Sequence, residues 1–567
     1  MTQTQPTTID FLNMRKIFFS LHSLKAAVVS ILSFSAMDAM AQDPKWEEGK
    51  LENVEIVITG KFDATVPAAN RNFQKIAPRP SEPIKPPITY DFRAFSFQTP
   101  QINPLIKPLK LKVENPSKIY NNYVSVGYGN YATPYLDAFV SSGRDKNKLV
   151  GAHAYFQNSI KGPVDGRNSG SGMYGVSVYG QSFNSNFTVA GNAGFENRST
   201  HFYGYKPGTD VSPGDIKQAI NLFKMGLSLA SAKNSDFSYK VGGKFSYLGD
   251  KYSARETEVD FDLNSYYKID KDTRIRINAS YALISRKDSA VDVLPRNLFQ
   301  TNVAYEFNYQ EDFKLSAGAV VAYENDTLDN KNIHVYPDLK LTYRLSPSVD
   351  VIGSLTGGIE KVSLQTLTNE NLWLAPNVAL NHTNKQFDFL GGINAKLGNK
   401  VSANTGFSLA SLKDWYYYAN DTTDQSKFRV DYYRGSVQRT NFYIALNYAQ
   451  AGAKFSLRGD AYGYSSDRIL HRPTYRVTAD GSYNIYDKIL LKASVIAQGG
   501  MKAINPDSKK TVTVDPAFDL NFRAEYLFSD SFSFFLQFNN ITSNKYPVFY
   551  NYPVRGFQVL GGITWSF

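Results

Sequence analysis

The chain has 567 residues, a formal net charge of +11 and no cysteine, which excludes thiolate metal sites and thiol chemistry. Its mean hydropathy of −0.34 excludes a bundle of transmembrane helices. Composition alone would favour a soluble all-β protein of several domains, and the basic excess would then suit nucleic acid. Both interpretations depend on how the apolar residues are spaced along the chain.

The first 41 residues have the composition of a secretory signal peptide. Met14–Lys16 supplies a positive start, residues 26–32 are apolar, and Ala39–Ala41 forms a small-x-small cleavage site. The apolar stretch is too short for a membrane anchor, which needs about 20 apolar residues. The pattern predicts a true start at Met14 and a mature chain that begins at Gln42.

Residues 42–118 form a proline-rich leader. After a strand-like run at Leu51–Gly60, ten prolines fall between Pro67 and Pro116. Proline removes backbone donors and fixes φ, so this stretch is predicted to be extended rather than folded into a sheet or helix. Its aromatic and apolar residues favour a strap that packs against or inside the following domain. The alternative is a disordered periplasmic leader.

Residues 119–567 consist of segments in which apolar and polar side chains alternate. In one segment Phe237, Tyr239 and Val241 alternate with Ser238 and Lys240. The segments are about ten residues long, the length that a tilted strand needs to cross a bilayer, whereas globular strands usually have about five or six. The pattern predicts an all-β fold: a large transmembrane antiparallel β-barrel in contact with outer-membrane lipid. Such a barrel carries basic residues on its lumen and loops, so we expect no nucleic-acid partner.

The connections between these segments alternate in length. Residues 450–452 and 486–488 are tight turns, whereas 464–471 and 501–511 are longer stretches. Short periplasmic turns that alternate with long outer loops are typical of bacterial barrels, which have an even number of strands. The spacing predicts about 22 strands, preceded by the extended N-terminal segment.

Three stretches resemble segments of a known family. Leu51–Gly60 resembles a valine-rich stretch that follows the signal peptide, and Phe538–Tyr546 resembles the segment before the last strand. The chain ends on Ile563, Trp565 and Phe567, which resemble a terminal signal read by the barrel assembly machinery. The family is that of the TonB-dependent receptors, in its Bacteroidetes form. The resemblance implies an integral protein of the Gram-negative outer membrane that can engage TonB or other envelope proteins.

The leader departs from that family. Family members carry a longer folded plug between the TonB-contacting segment and the first strand, whereas only residues 42–118 are available here. The family's plug patterns, a Pro-Gly-Val turn and a Val-Arg-Ile-Arg-Gly strand, are absent from the sequence. These differences predict a receptor-like barrel that lacks a normal plug domain.

Residues with catalytic or metal-binding spacing do not stand out. The six histidines lie far apart, and no Gly-x-Ser-x-Gly motif occurs. Asp519 and Glu525 share the predicted lumen face, but Arg523 lies between them, which favours charge balance over catalysis. We therefore expect no enzyme activity, no metal site and no cofactor.

Aromatic residues beside one predicted outer loop are the candidate ligand-binding set. They flank the connection 412–437 and are Trp415, Tyr416, Tyr417, Tyr432 and Arg434. Aromatic faces beside an arginine suit sugars or planar ligands, and also protein contacts. The alternative is an aromatic girdle at the membrane interface, which such barrels need in any case. The aromatic residues within 549–552 are predicted to pack among the loops.

Two functions fit these features. The first is an outer-membrane barrel, related to TonB-dependent receptors, that transports or binds a solute. The second is a plugless structural subunit, whose barrel and leader dock partners in an outer-membrane assembly or export complex. An ungated porin is disfavoured, because so wide a pore would leak unless the leader or a partner blocked it.

Overall fold

The computed structural model describes residues 120–567, except for residues 144, 232–235, 291–294, 311 and 327–330. The predicted signal peptide and proline-rich leader, residues 1–118, lie outside the described residues. Nearly all of the regular structure is β-strand. Among the described residues, no helix is both long and apolar enough to cross a membrane.

Twenty-two strands form one sheet. In chain order they are β1 (Tyr123–Gly129), β2 (Thr133–Ser141), β3 (Lys148–Ser159), β4 (Ser171–Phe183), β5 (Phe187–His201), β6 (Lys217–Ser231), β7 (Phe237–Asp250), β8 (Arg255–Lys268), β9 (Thr273–Lys287), β10 (Arg296–Tyr309), β11 (Phe313–Glu324), β12 (Ile333–Ser346), β13 (Val349–Glu360), β14 (Thr383–Leu397), β15 (Val401–Asn420), β16 (Phe428–Gln450), β17 (Ala453–Tyr464), β18 (Tyr475–Ile485), β19 (Ile489–Gly499), β22 (Ala517–Leu527), β23 (Phe532–Asn539) and β26 (Gln558–Ser566).

The remaining regular elements lie in the connections. Two small hairpins pair β20 (Lys502–Ile504) with β21 (Thr511–Thr513), and β24 (Pro547–Phe549) with β25 (Tyr552–Pro553). A 3-10 turn covers Gly166–Ser169. One α-helix, α1 (Leu364–Glu370), lies between β13 and β14.

The sheet closes on itself to form a barrel. Each of the 22 strands pairs in antiparallel fashion with the barrel strands before and after it in the chain, and the last strand, β26, pairs with β1. That closing register runs from Tyr123 opposite Ser566 to Gly129 opposite Leu560. Closure leaves no unpaired sheet edge, which is the condition for a β-structure in lipid. The predicted barrel of about 22 strands is confirmed.

The two ends of the barrel differ in the length of their connections. At one end, which also carries the start of β1 and the end of β26, the turns have two to six residues. At the other end the connections reach 22 residues, in the segment 361–382. The predicted turns at 450–452 and 486–488 lie at the short end, and the predicted alternation is confirmed. We call these the turn end and the loop end.

The outer face of the barrel is apolar. Along β6, for example, the alternate side chains Phe223, Met225, Leu227 and Leu229 are all exposed, whereas Leu222 is buried. An exposed apolar band around a closed barrel would be unstable in water and is stabilised by lipid. The chain is therefore an integral protein of the outer membrane of a Gram-negative bacterium.

The inner face of the barrel carries paired charges. Arg276 on β9 contacts Glu306 on β10 at 2.6 Å and Asp338 on β12 at 2.8 Å. It also donates to the amide oxygen of Asn302 at 2.7 Å. At β22 the predicted balance of charges holds for Glu525, which lies 3.3 Å from Arg523, but not for Asp519.

On β23 one apolar side chain, Phe535, lies between the exposed Phe534 and Leu536 and so breaks the alternation of that strand. Phe535 on β23 faces inward and is 3% exposed, and the guanidinium of Arg523 lies 4.2 Å from its ring centroid. The ring occupies space left by Gly562 on β26, where an added Cβ would lie 2.5 Å from the ring. Gly127 on β1, opposite Gly562, would place a Cβ 3.1 Å from the same ring. A large side chain on one strand thus requires glycine on the next two.

Candidate functional site

The longest connection of the barrel folds inward. Residues 361–382, here called the inward loop, join β13 to β14 and contain α1. The Ser363 side chain accepts the Thr366 amide and Thr366 caps Ser363 in return, so the helix begins with a complete capping box. The loop also carries apolar residues that an exposed connection would not retain, and they are Leu364, Leu367, Leu372, Trp373, Leu374, Val378 and Leu380.

The inward loop crosses the mouth of the barrel at the loop end. On one side, the Trp373 indole donates to the carbonyl of His201 at the end of β5, at 3.0 Å. On the other side, the Ala375 amide donates to the carbonyl of Phe428 at the start of β16, at 2.7 Å. These strands lie on opposite walls, because eleven of the 22 positions around the barrel separate them. The loop therefore spans the opening.

A buried carboxylate fixes the start of α1. Glu256 on β8 is 2% exposed and accepts the backbone amides of Leu364 at 2.7 Å and Gln365 at 2.9 Å. These amides belong to the first helical turn, whose donors have no partner within the helix. Next to this contact, Lys361 forms ion pairs with Glu258 and, at 2.6 Å, with Asp260. The strand β8 thus holds one end of the inward loop.

A second carboxylate fixes the end of α1. Glu370 accepts hydrogen bonds from the hydroxyls of Tyr416 at 2.5 Å and Tyr418 at 3.0 Å, both on β15. Arg472, from the connection between β17 and β18, lies 3.4 Å from the same carboxylate. The guanidinium also lies over the ring of Tyr416, 5.2 Å from its centroid. This cluster joins the inward loop to β15.

An aromatic core fills the space between the inward loop and its neighbours. We define the mouth core as Tyr203, Trp373, Phe428, Phe549 and Tyr552. The ring of Tyr552 lies 4.2 Å from that of Trp373 and 4.7 Å from that of Tyr203, measured between centroids. Phe428 lies 5.2 Å from Phe549. Tyr552 and Phe428 are 0% exposed, and the predicted packing of residues 549–552 among the loops is confirmed.

The predicted ligand-binding aromatics lie on one wall of this mouth. Trp415 and Tyr416 are buried in the cluster that surrounds the mouth core, and Tyr417 packs on its edge. The Tyr432 hydroxyl accepts the Asn381 amide at 2.9 Å and so contacts the inward loop. Arg434 is exposed and is not part of this cluster. The structure thus places four of the five residues in or against one cluster, and Tyr416 and Tyr432 contact the inward loop directly.

Two details of the sequence interpretation are wrong. The connection predicted at 412–437 is only residues 421–427, because β15 continues to Asn420 and β16 begins at Phe428. These strands have 20 and 23 residues, about twice what a bilayer needs, so their upper parts extend beyond the membrane. Trp415 and Tyr416 are buried towards the mouth core and do not belong to a lipid-facing girdle.

A cavity of about 320 Å³ lies between the inward loop and the barrel wall. We call it the mouth cavity. Trp373 of the inward loop and Tyr203 contribute its aromatic side. Asp519 on β22 and Arg555, which precedes β26, contribute its charges. Towards the turn end, the lumen contains a larger cavity of about 710 Å³, whose lining includes Lys454, Asp480 and Arg523. Among the described residues, no three His, Cys, Asp or Glu side chains are grouped to hold a metal ion.

Two buried histidines join the loops in their neutral form. His471 Nδ1 donates to the Tyr418 carbonyl at 2.9 Å. His382 Nδ1 accepts from the Val362 amide at 3.1 Å and from Arg296 at 2.9 Å, so it cannot also hold a proton. Burial lowers the pKa of His471 to about 4 and, with the charge of Arg296, lowers the pKa of His382 to about 3.

Acidification to about pH 4.5 is expected to loosen the mouth. Above the ordinary histidine pKa of about 6.5, both residues are neutral in closed and open loops alike. Below it, the open loops bind protons that the closed loops exclude, so stability is lost between about pH 6.5 and the lowered pKa values of about 4 and 3. For His471 alone, the free energy that favours the closed loops falls by roughly 3 kcal/mol. Bilayer conductance measured above about pH 6.5 and again at about pH 4.5 tests this prediction.

The control for this pH response is a paired substitution. The double variant His471→Asn, His382→Asn should lose most of the dependence on pH, whereas His153→Asn, on the barrel wall, should keep it. An unchanged acid response in the double variant would show that other groups cause it.

Comparisons with known proteins agree with the barrel fold. The FrpB iron transporter from Neisseria meningitidis (F3-3 variant) superposes with a TM-score of 0.62 at 12% identity, over 79% of this chain and 82% of that one. The siderophore receptor PirA from Acinetobacter baumannii gives a TM-score of 0.61 at 11% identity, over 79% and 80%. A mutant of the ferric enterobactin receptor PfeA from Pseudomonas aeruginosa gives 0.59 at 10% identity, over 79% and 80%.

These similarities concern the fold. No protein-family model matches the sequence, and no curated protein matches it significantly. The superpositions establish a common architecture, but at identities of 10–12% they show the fold alone, so function must be argued from the site. The resemblance of the barrel to outer-membrane receptors, predicted from the sequence, is confirmed at that level.

Proposed function

We propose that this protein is a gated outer-membrane barrel that binds a small solute at its mouth and passes it towards the periplasm. The observation that carries the proposal is the inward loop, which spans the mouth and whose helix α1 is fixed at its start by Glu256 and at its end by Glu370. A permanently open porin would not need such a closure. A cavity between the closure and the wall would hold a solute, and the larger cavity towards the turn end would lie on its way to the periplasm.

The aromatic wall contributes to solute binding in this proposal. Trp415, Tyr416, Tyr417 and Tyr432 contact the inward loop or its core, and Arg434 lies exposed outside them. A solute that reaches this wall would meet flat apolar faces, which suit planar groups and sugars. Two of the solved structures compared above are named as an iron transporter and a siderophore receptor, and these names support uptake of a solute from outside the cell.

The remaining parts of the chain follow from the same proposal. Residues 1–41 are a signal peptide, residues 42–118 a leader that takes the place of a folded plug, and residues 119–567 the barrel. TonB or another envelope protein would act on the leader. Ile563, Trp565 and Phe567 have exposed side chains at the end of the last strand, where the barrel assembly machinery could read them. The proposal requires no enzyme activity and no cofactor.

A structural subunit of an envelope complex is the second candidate. The same closed mouth favours it, because a docking platform has no need to open. In that case the loop end and the leader would bind partner proteins, and the lumen would carry no solute. Co-purification from native membranes with mass spectrometry separates the two: a stable complex supports the subunit, and a solitary barrel supports transport.

Excising the inward loop tests the gate. Glu360 and Thr383 are opposite each other in the sheet, so a four-residue Gly-Ser turn can replace residues 361–382 without changing the register. The full chain in planar bilayers should conduct weakly, and the excised variant should conduct strongly and steadily. The matched control replaces the exposed residues 206–210 with Gly-Ser and should behave as the native protein. Equal conductance in all three proteins would reject a gate formed by this loop.

A further inference from the structure

We propose that the mouth cavity binds a small zwitterion, a free amino acid or dipeptide whose carboxylate meets Arg555 and whose ammonium group meets Asp519. The assignment rests on the proposed binding role of the mouth and names the class of ligand. The cavity volume of about 320 Å³ lies at the low end of small-molecule sites, which have about 300–1,000 Å³. That size suits one or two amino-acid residues.

Arg555 is a cation without a counter-ion. Its Nη2 donates to the Ser171 hydroxyl at 2.8 Å, and its Nε donates to the Lys161 carbonyl at 3.2 Å. Among the described residues, no carboxylate oxygen lies within 4.0 Å of it. Burial lowers the pKa of the guanidinium, which nevertheless remains charged. A half-buried arginine held by two neutral acceptors is a ready partner for a ligand carboxylate.

Asp519 is the matching anion. One oxygen accepts the hydroxyl of Tyr546 at 2.7 Å, and the other has no hydrogen-bond partner in the described part of the chain. No lysine, arginine or histidine nitrogen there lies within 4.0 Å, Arg555 included. The sequence predicted that Arg523 balances both Asp519 and Glu525, but of these two carboxylates Arg523 forms an ion pair with Glu525 alone. Asp519 therefore lines the cavity without a counter-ion, and its second oxygen is buried without a partner.

Hydrogen bonds through Tyr546 connect the backbone beside Arg555 to the Asp519 carboxylate. The Val554 amide, beside Arg555, donates to the Tyr546 carbonyl at 3.0 Å, and the Tyr546 hydroxyl donates to Asp519. The Asn540 side chain donates to the Arg555 carbonyl at 2.7 Å and fixes the backbone at that point. Opposite unpaired charges on one small cavity are costly when it is empty, because each is partly desolvated without a partner. A molecule with both charges offsets that cost.

The rest of the cavity selects for the side chain of the ligand. Tyr203, Leu372 and Trp373 form an apolar side, and Tyr203 and Trp373 meet edge to face at 5.8 Å between centroids. Because Leu372 and Trp373 belong to the inward loop, movement of that loop would open this side of the cavity. An apolar or aromatic amino acid therefore fits better than an acidic or basic one.

The test is calorimetric titration of the full chain in detergent micelles. The probes are L-phenylalanine and the dipeptide glycyl-L-phenylalanine. Two derivatives of phenylalanine each lack one charge: N-acetyl-L-phenylalanine has no ammonium group, and L-phenylalaninamide has no carboxylate. At least one zwitterion should bind at millimolar concentration or below. Each derivative of phenylalanine should bind about ten- to a hundredfold more weakly than phenylalanine itself, because one charge-assisted contact is lost.

Substitutions at the two charges give the decisive comparison. In Arg555→Gln, phenylalanine and phenylalaninamide should bind with equal affinity, and in Asp519→Asn phenylalanine and its N-acetyl derivative should do so. The exposed Arg468→Gln is the matched control and should bind like the native protein. Circular dichroism checks that each variant retains its β-structure.

The binding experiment and the loop-excision experiment can fail independently of each other. If neither zwitterion binds, or if Arg555→Gln and Asp519→Asn bind both zwitterions as well as the native protein does, the assignment is overturned. Binding without any conductance after loop excision would retain the zwitterion site and reject the transport role. Conductance after excision without binding would retain the gate and reject the site.

Discussion

Replacing Glu370 with alanine is expected to open the mouth of the barrel. The substitution removes the acceptor of two tyrosine hydroxyls, Tyr416 and Tyr418, which are 6% and 2% exposed. A buried donor left without a partner costs about 1–3 kcal/mol. The substitution also removes the anion beside Arg472, whose side chain is 23% exposed. The free energy lost with this ion pair should therefore lie between the values for surface and buried ion pairs.

The total for Glu370→Ala is about 3 kcal/mol, which raises the open population of the inward loop more than about a hundredfold. Two measurements follow the change: bilayer conductance, and hydrogen exchange of residues 361–382 by mass spectrometry. Glu370→Gln keeps an acceptor and should show a smaller effect. Asp467→Ala removes an exposed ion pair with Lys502 from a neighbouring connection and should change stability by less than about 1 kcal/mol. If both alanine variants exchange alike, Glu370 does not hold the loop.

Replacing Tyr552 with alanine is expected to destabilise the mouth core by about 3–5 kcal/mol, the range for large aromatic truncations. Tyr552 is fully buried, and its ring contacts Trp373, Tyr203 and Phe428 at 4.2, 4.7 and 5.6 Å between centroids. Its hydroxyl also donates to the Ser426 carbonyl. The barrel wall should remain intact, because its strand ladder does not depend on this ring.

Near-ultraviolet circular dichroism, together with limited proteolysis of the loops, measures the loss of the mouth core. Tyr552→Phe keeps the ring and loses one hydrogen bond, so it should cost only about 1–2 kcal/mol. Tyr486→Ala, at an exposed turn where the side chain is 93% accessible, is the matched control and should have no effect. Equal damage from the phenylalanine and alanine variants at position 552 would assign the effect to the hydroxyl rather than to packing.

The barrel could be predicted because the sequence pattern that produces each strand is local and repeats along the chain. Alternation such as Phe237, Tyr239 and Val241 against Ser238 and Lys240 specifies a two-faced strand, and the short turns specify antiparallel neighbours. Ile563 and Trp565 continue the same alternation in the last strand, β26. The number of strands follows from the repeat length, so the architecture needs no long-range information.

The mouth could not be predicted in the same way, because its contacts join distant segments. Glu370 meets Tyr416 and Arg472, and Glu256 meets Leu364, without any periodic pattern to relate them. A usable signal was nevertheless present. The segment 361–382 has too many leucines for an exposed loop, and Ser363 with Thr366 has the spacing of a helix cap.

Complementary packing across the sheet was hidden for a related reason. Phe535 breaks the alternation of β23, and only its three-dimensional position shows that Gly562 and Gly127 make room for it. The sequence separation is large, and glycine in a strand has several explanations. An apolar side chain on the polar face of a regular strand therefore indicates that small residues lie next to it on the neighbouring strands.

The seam between β1 and β26 also imposes an order on biogenesis. The hydroxyl of Thr564 donates to that of Ser125 at 2.9 Å across 439 positions of sequence, so the seam forms only after the whole chain has been made and exported. Until then both terminal strands present unpaired backbone groups, which favour pairing with other chains. Because contacts this distant form slowly, shielding of the two edges, rather than strand pairing itself, should set the yield of folded barrel in the cell.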